Sequence, residues 1–284
     1  MKSKTEGTPK REPSAKLNYK SSGPKIGLVD IETAPIVGAT WGLWDQNIGL
    51  NQIQQEWVII SFCFKPLGGN KNTIEYMDTS TRDDPRDDSG IVQRLYEIMD
   101  EYDVIIAHNG KKFDAKKVRA RFLLAGYKPH SPVIIEDTLL YARQVAAFTS
   151  NKLEWLSTYL SSVKKSAHKD FPGFELWKEC LAGNPKAWAA MKKYNIPDVV
   201  SMEQVYMRLR PWVRGAVNVA NHVDDDEIRC PICGTTNIAE SGRAFTQTGE
   251  YKRYHCLADT CGAWSRSRYT LNSIKKRKSL LVAQ

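Results

Sequence analysis

Apolar residues along the chain fall into two rhythms. Ile26-Gly27-Leu28-Val29-Asp30-Ile31 is apolar on both parities, the pattern of a strand covered on both faces. Trp57 to Phe64 and Thr73 to Met77 have the same density on either side of a Pro-Leu-Gly-Gly-Asn turn, and they read as a hairpin. From Ser89 to Tyr102 the period changes. Ile91, Val92, Leu95, Ile98 and Met99 recur at helical spacing, and Ser89 supplies a start signal. Val104 to Ala107 then predicts a fourth strand, Ala115 to Ala125 a helix closed by Gly126, and Val133 to Ile135 a fifth strand. Helices follow over Leu139–Val145, Leu153–Leu160 and Lys186–Leu209. Pro197 lacks a backbone donor and is expected to kink or restart the last of them.

Strands joined without helices pair antiparallel, and strands separated by helices are joined by parallel crossovers. The order therefore predicts an α/β domain over residues 25–212, built on a mixed five-stranded sheet with helices on its faces. Residues 1–24 contain few apolar side chains and read as a disordered basic tail. Residues 213–228, with Asp224 to Asp226, read as a linker. A cysteine-bearing module occupies 229–265, and a second basic tail 266–284.

The 284 residues carry 41 Lys+Arg against 32 Asp+Glu, a net charge of +9. Residues 1–25 account for +5 and residues 264–284 for +6, leaving the body between them at −2. The charge points to an anionic partner and places its attraction at the ends of the chain. No apolar run approaches the roughly 20 residues of a membrane-spanning helix, and the N-terminus lacks the apolar core of a secretory signal. The expectation is an intracellular, cytoplasmic protein with no membrane partner, the cytoplasm of a virus-infected host included. Four of the six cysteines lie between 230 and 261, which argues against a disulfide framework for the whole chain.

Three polar clusters stand at the ends of apolar segments. Asp30 and Glu32 are two residues apart on a strand and so share one face of the sheet. The fourth strand runs into His108-Asn109-Gly110-Lys111-Lys112-Phe113-Asp114, at a sheet edge where sites form. Tyr194 and Asp198 are four apart, on one helical face. Singly, each has a plain reading: a solvated acid pair, an Asn-Gly surface turn, and helix packing beside a surface acid.

Taken in this order, the three clusters resemble the motifs of the DEDD superfamily of 3'-to-5' exonucleases, which have the ribonuclease H-like fold. Asp30-x-Glu32 matches the first motif, Asn109-x-x-x-Phe113-Asp114 the second and Tyr194-x-x-x-Asp198 the third. Tyr194 marks the DEDDy branch. In the other branch a His stands five residues before the Asp, and here that position is Lys193. Asp137 to Arg143 and the Leu153–Leu160 helix also look like the family's segment between the second and third motifs. The resemblance covers about residues 25–210.

It implies two-ion hydrolysis of phosphodiester bonds, with Mg²⁺ or Mn²⁺ held about 3.5 to 4 Å apart. By that resemblance Asp30 bridges both ions, Glu32 and Asp198 complete the first, Asp114 holds the second largely through water, and Tyr194 orients the attacking water. Oxygen-only ligands suit such hard cations, and four carboxylates balance the charge of two of them. Asn109, Lys111 and Lys112 are candidate substrate contacts, although a solvated helix start explains the lysines equally well. Trp41 and Trp44 can stack on terminal bases, but the expectation for them is buried packing.

Cys230-Pro-Ile-Cys233-Gly234 and Cys256-x4-Cys261-Gly262, with 22 residues between them, resemble the knuckles of a zinc ribbon. Four thiolates give the closed tetrahedral site of one structural Zn²⁺. The second knuckle is two residues longer than the common spacing, which leaves His255 or Asp259 as an alternative ligand. Metal binding would supply folding energy that so short a segment cannot obtain by burial. The module is a candidate dock for nucleic acid or for replication and repair proteins.

The expected activity is a stand-alone 3'-to-5' exonuclease acting on DNA in replication, repair or recombination, similar to those carried by bacteriophages. The rivals are a junction resolvase or other structure-specific endonuclease on the same fold, an RNA 3'-to-5' exonuclease, and a non-catalytic nucleic-acid-binding adaptor. The Tyr194–Asp198 pair speaks against the first, and the presence of all four acids against the last.

Overall fold

A computed structural model describes residues 23–163 and 170–282. The basic N-terminal segment up to Ser22 lies outside the described residues. The chain enters the fold at β1 (Ile26–Thr33), continues through β2 (Val37–Gly38), β3 (Ile53–Gln55), β4 (Ile59–Pro66) and β5 (Glu75–Asp78), and turns into α1 (Ser89–Glu101). Then come β6 (Val104–Ala107), α2 (Asp114–Leu124), β7 (Ile134–Asp137), α3 (Thr138–Val145), α4 (Leu153–Leu160), α5 (Glu175–Leu181) and α6 (Pro185–Leu209).

Five strands form one mixed sheet in the order β5-β4-β1-β6-β7. The β5, β4 and β1 strands run antiparallel as a meander, while β1, β6 and β7 are parallel, as the predicted crossovers require. This is a ribonuclease H-like fold. β1 sits at the centre, and alternation along it divides the molecule. Val29 and Ile31 pack into a core with α1 and α2 through Leu95, Ile98, Val118 and Phe122. Leu28 faces the opposite layer, where Ala142, Leu156, Val199, Met202 and Val205 of α3, α4 and α6 cover the sheet. Asp30 and Glu32 share the parity of Leu28, so they project under α6.

Three expectations need correction. Helix α6 runs unbroken through Pro197. Buried residues on both sides of the proline, Met191 and Asn195 before it and Val199 and Met202 after it, hold the helix against the sheet. The carbonyl left without its usual donor belongs to Lys193, an exposed residue. Trp41 and Trp44 are not packed inside. They are 100% and 83% exposed in the loop between β2 and β3, which form a separate two-stranded sheet. Helix α5 and this small sheet have no counterpart in the periodicity reading.

The cysteine module forms a three-stranded antiparallel sheet from β8 (Ile238–Phe245), β9 (Glu250–Cys256) and β10 (Trp264–Arg266). Backbone hydrogen bonds continue past β10, from Ser267 N to Lys252 O and from Leu271 N to Glu250 O. The Lys275–Lys278 run lies in α7 (Ile274–Ser279), capped by the Ser273 side chain accepting from Lys276 N.

Candidate active site

The site is built by β1, the turn after β6, the first residue of α2 and the middle of α6. Asp30 and Glu32 stand on β1 opposite Cys63 and Ser61 of β4, and the register shifts just beyond Glu32. After β6 the chain turns at Asn109, which takes a left-handed φ of 64°. The next residue must be small, because a Cβ on Gly110 would lie 2.5 Å from Ala107 Cβ. The turn is fixed from below by Asp137, at the end of β7 and 1% exposed. Its carboxylate accepts from Asn109 N (3.0 Å) and Lys111 N (3.1 Å) and also caps α3 by accepting from Leu139 N and Leu140 N.

That turn delivers Asp114 to the first position of α2. Its side chain is buried and accepts from Ile31 N at 3.3 Å, between Asp30 and Glu32 in sequence. Burial pushes its carboxyl up to about 7, against the opposing effect of the backbone donors.

Helix α6 brings Tyr194, Asn195 and Asp198 over β1. Asn195 is fully buried, and its Nδ2 donates to Asp30 Oδ2. Tyr194 packs edge-on against Trp177 of α5, with ring centroids 6.2 Å apart. Burial raises its phenol well above the usual range, reinforced by the charges of Asp198, Glu32 and Asp30. The Cys63 thiol beneath them is likewise raised, by burial and then by Asp30 and Asp198.

Asp30, Glu32, Asn109, Tyr194 and Asp198 line one cleft of about 590 Å³, together with His108, Arg143, Lys152 and Glu154. Asp114 is tied to its floor through Ile31. Lys111 and Lys112 are exposed in the adjoining turn and do not line the cleft. Among the described residues, only the four cysteines bring three or more metal-ligating side chains within 4.8 Å of one another. Asp30, Glu32, Asp114 and Asp198 do not meet that spacing. The cleft thus brings Asp30, Glu32 and Asp198 into one space with Arg143 and Lys152.

Sequence reasoning had passed over Asn195, Arg143, Lys152 and the loop-anchoring role of Asp137. Position offered a signal for Asp137 and Arg143, the two ends of the segment noted between the second and third motifs. Asn195 reaches Asp30 across 165 residues, and no local pattern reports that contact.

In the second module, Cys230 Sγ lies 3.8 Å from Cys261 Sγ, and Cys233 Sγ 3.6 Å from Cys256 Sγ. Those separations are far beyond a disulfide bond of about 2.05 Å. They match the edge of a tetrahedron with metal–sulfur bonds of about 2.3 Å, for which sulfurs lie about 3.8 Å apart. Gly234 and Gly262 take left-handed φ values of 76° and 63° directly after the second cysteine of each knuckle, letting the chain turn back. His255 instead stacks on Trp264, with centroids 4.4 Å apart, and neither it nor Asp259 belongs to the cluster.

A model of the RNase_H superfamily matches residues 48–210, more than half of the chain. The match includes Asp114, Tyr194 and Asp198 and begins after Asp30 and Glu32. No curated protein matches the chain. Among solved structures, the chain is similar to the family B DNA polymerase of the hyperthermophilic archaeon Pyrobaculum calidifontis, with 16% sequence identity and a TM-score of 0.45. The similarity covers 67% of this chain and 25% of the polymerase, so the chain spans about a quarter of that protein's length.

Proposed function

Because the chain belongs to the ribonuclease H superfamily, a fold of nucleases, we propose that it is a metal-dependent 3'-to-5' exonuclease of the DEDDy type acting on DNA. The observation that carries this reading is the placement of Tyr194 and Asp198 of α6 in the same cleft as Asp30 and Glu32 of β1. Such a cleft suits a strand terminus, whose last phosphodiester must lie against acids and phenol together.

The donor set fits two hard divalent cations. All four acids offer oxygen; Asp30, Glu32 and Asp198 line the one cleft, and Asp114 is held beside it on the Ile31 backbone. Asp30, Glu32, Asp114 and Asp198 would hold Mg²⁺ or Mn²⁺. When bound, the cations neutralise the acids and supply Lewis acidity for hydrolysis of the phosphodiester.

The protein's own groups do the rest. Tyr194 keeps its proton at neutral pH and so orients water by hydrogen bonding instead of acting as a base. Asn195 donates to the Asp30 carboxylate and so fixes its orientation. Arg143 and Lys152 line the same cleft as the acids and bind the phosphate backbone next to the scissile bond. We assign residues 25–212 to this nuclease unit and 229–265 to a ribbon closed by one Zn²⁺ on Cys230, Cys233, Cys256 and Cys261, joined by the linker 213–228.

The test is digestion of matched DNA and RNA oligonucleotides with free or blocked 3' termini, in Mg²⁺ or Mn²⁺. Stepwise release of mononucleotides from free 3' ends, stalling at blocked ends and preferring DNA, is the expected result. Cleavage of blocked substrate at internal positions would instead mark an endonuclease.

A further inference from the structure

The ribbon sheet is chemically two-sided. On one side, Lys252 and Arg243 pair with Glu240 (2.9 and 3.1 Å), and Arg243 approaches Glu250 at 3.5 Å. On the other, strand alternation and the register place Tyr251, Arg253 and His255 of β9 beside Arg266 and Trp264 of β10. These five form a continuous ladder. Arg266 lies over the Tyr251 ring at 3.9 Å, Arg253 over Trp264 at 4.8 Å, and His255 stacks on Trp264 with an interplanar angle of 15°. Among the described residues, neither Arg253 nor Arg266 has a carboxylate within 4.0 Å, so this side carries uncompensated positive charge. Arg253 spends one donor on Ser241 O and Arg266 one on Ser267 O, a fraction of the five that each guanidinium offers.

A buried structural role does not explain the ladder, because Arg253, Trp264 and Arg266 are exposed and Trp264 keeps 54% of its surface open. Flat rings alternating with planar cations present π-faces for bases and donors for the phosphates between them. Arg268 and the exposed Tyr269 extend the same chemistry just beyond β10. Stacking and phosphate contacts accept any base, so the surface suits single strands irrespective of sequence.

We propose that the Tyr251–Arg253–His255–Trp264–Arg266 face of the ribbon is a single-strand nucleic-acid platform, separate from the nuclease cleft. It holds the strand while its end is in the cleft. The choice of nucleic acid over another polyanion rests on the nuclease reading above.

The test uses the full chain carrying Asp198→Ala, so that substrate survives, and fluorescence anisotropy of a labelled oligothymidine across a salt series. Trp264→Ala should weaken binding on the order of tenfold, and Trp264→Phe should restore most of it, since one stacked base contributes on that scale. Arg253→Ala with Arg266→Ala should flatten the log–log salt slope by about 1.4, the value for two lost single-strand phosphate contacts. Lys252→Ala, on the opposite side, should leave affinity within about twofold by contrast with that loss. Zinc content shows that each variant keeps its ribbon. Parent-like affinity and slope in Trp264→Ala and in the double arginine variant, with zinc retained, would overturn the proposal and reassign the face to a protein partner. The two readings fail separately: cleavage by the parent with no effect of these substitutions on binding removes the platform alone, and platform binding without cleavage removes the exonuclease alone.

Discussion

Asp114 should make the nuclease unit less stable as pH rises. Its carboxyl is 6% exposed and is pushed from 3.8 up to about 7, chiefly by burial. Because its pKa in the folded state lies above the unfolded value, the folded chain holds the proton over an interval in which the unfolded chain has lost it. Stability is therefore greatest below about pH 4 for this group and is lost as pH climbs through 7. A rise from 3.8 to about 7 corresponds to at most about 4 kcal/mol, or roughly 8 to 16 °C in melting temperature for a domain of this size. Asp114→Asn removes the charge but keeps an oxygen to accept from Ile31 N. Thermal melts should be run without added Mg²⁺ or Mn²⁺ and without chelator, so that the cysteine site keeps its metal. The variant should melt above the parent at pH 8 by several degrees, and the gap should shrink to about a quarter of that near pH 4.5. Mn²⁺ at pH 8 should raise the parent more than the variant. Superimposable pH profiles for the two proteins would refute the reasoning.

Other substitutions probe neighbouring claims. Asn195→Leu removes the donor to Asp30; hydrogen bonds to charged groups are worth about 1.5 to 3 kcal/mol, so turnover at saturating DNA should fall about 10- to 150-fold, as initial rates will show, with the melting temperature changed less than activity. Lys65 and Glu203 form a 2.6 Å pair with side chains only 5% and 15% exposed. Glu203→Ala should cost about 3 to 5 kcal/mol in urea unfolding by stranding the buried ammonium, whereas Lys65→Met with Glu203→Leu should recover most of that loss. Metal analysis should find one zinc per chain. Cys256→Ala should lose it and make residues 229–265 sensitive to protease, while residues 25–212 resist as before.

The sheet and most helices were legible because their apolar spacing is imposed by the faces they bury. β1 runs Ile26–Thr33 and carries both acids on one face, as their spacing on a strand predicts. β7 was read over Val133–Ile135 and occupies Ile134–Asp137, because its buried end is made of Glu136 and Asp137. Those acids look like loop residues in sequence. In the fold Glu136 accepts from Tyr206 Oη and Val217 N, and Asp137 from four backbone donors. Helix α5 was missed because Pro172, Gly173 and Gly183 frame it and leave only a short window of period. Pro197 misled for the opposite reason: a local backbone preference was overridden by core contacts on both sides of it. Within the site, the strand pair Asp30 and Glu32 and the helical pair Tyr194 and Asp198 could be placed by spacing alone. The bond from Asn195 to Asp30, the anchoring of the Asn109 turn by Asp137 and the exposure of Trp41 and Trp44 depend on tertiary contacts that no short window contains.

The central claim is that Asp30, Glu32, Asp114, Tyr194 and Asp198 form one hydrolytic site acting from the 3' end. It is tested most directly by a time course on DNA labelled separately at its 3' and 5' ends, comparing the parent with Asp30→Ala plus Asp198→Ala and with Tyr194→Phe. In Mn²⁺, the parent should release the 3' label first as a mononucleotide and shorten the 5'-labelled strand stepwise. The double variant should be inactive while still binding DNA, and Tyr194→Phe should be slowed without a change of direction. Undiminished cleavage by the double variant, or loss of the 5' label first, would contradict it.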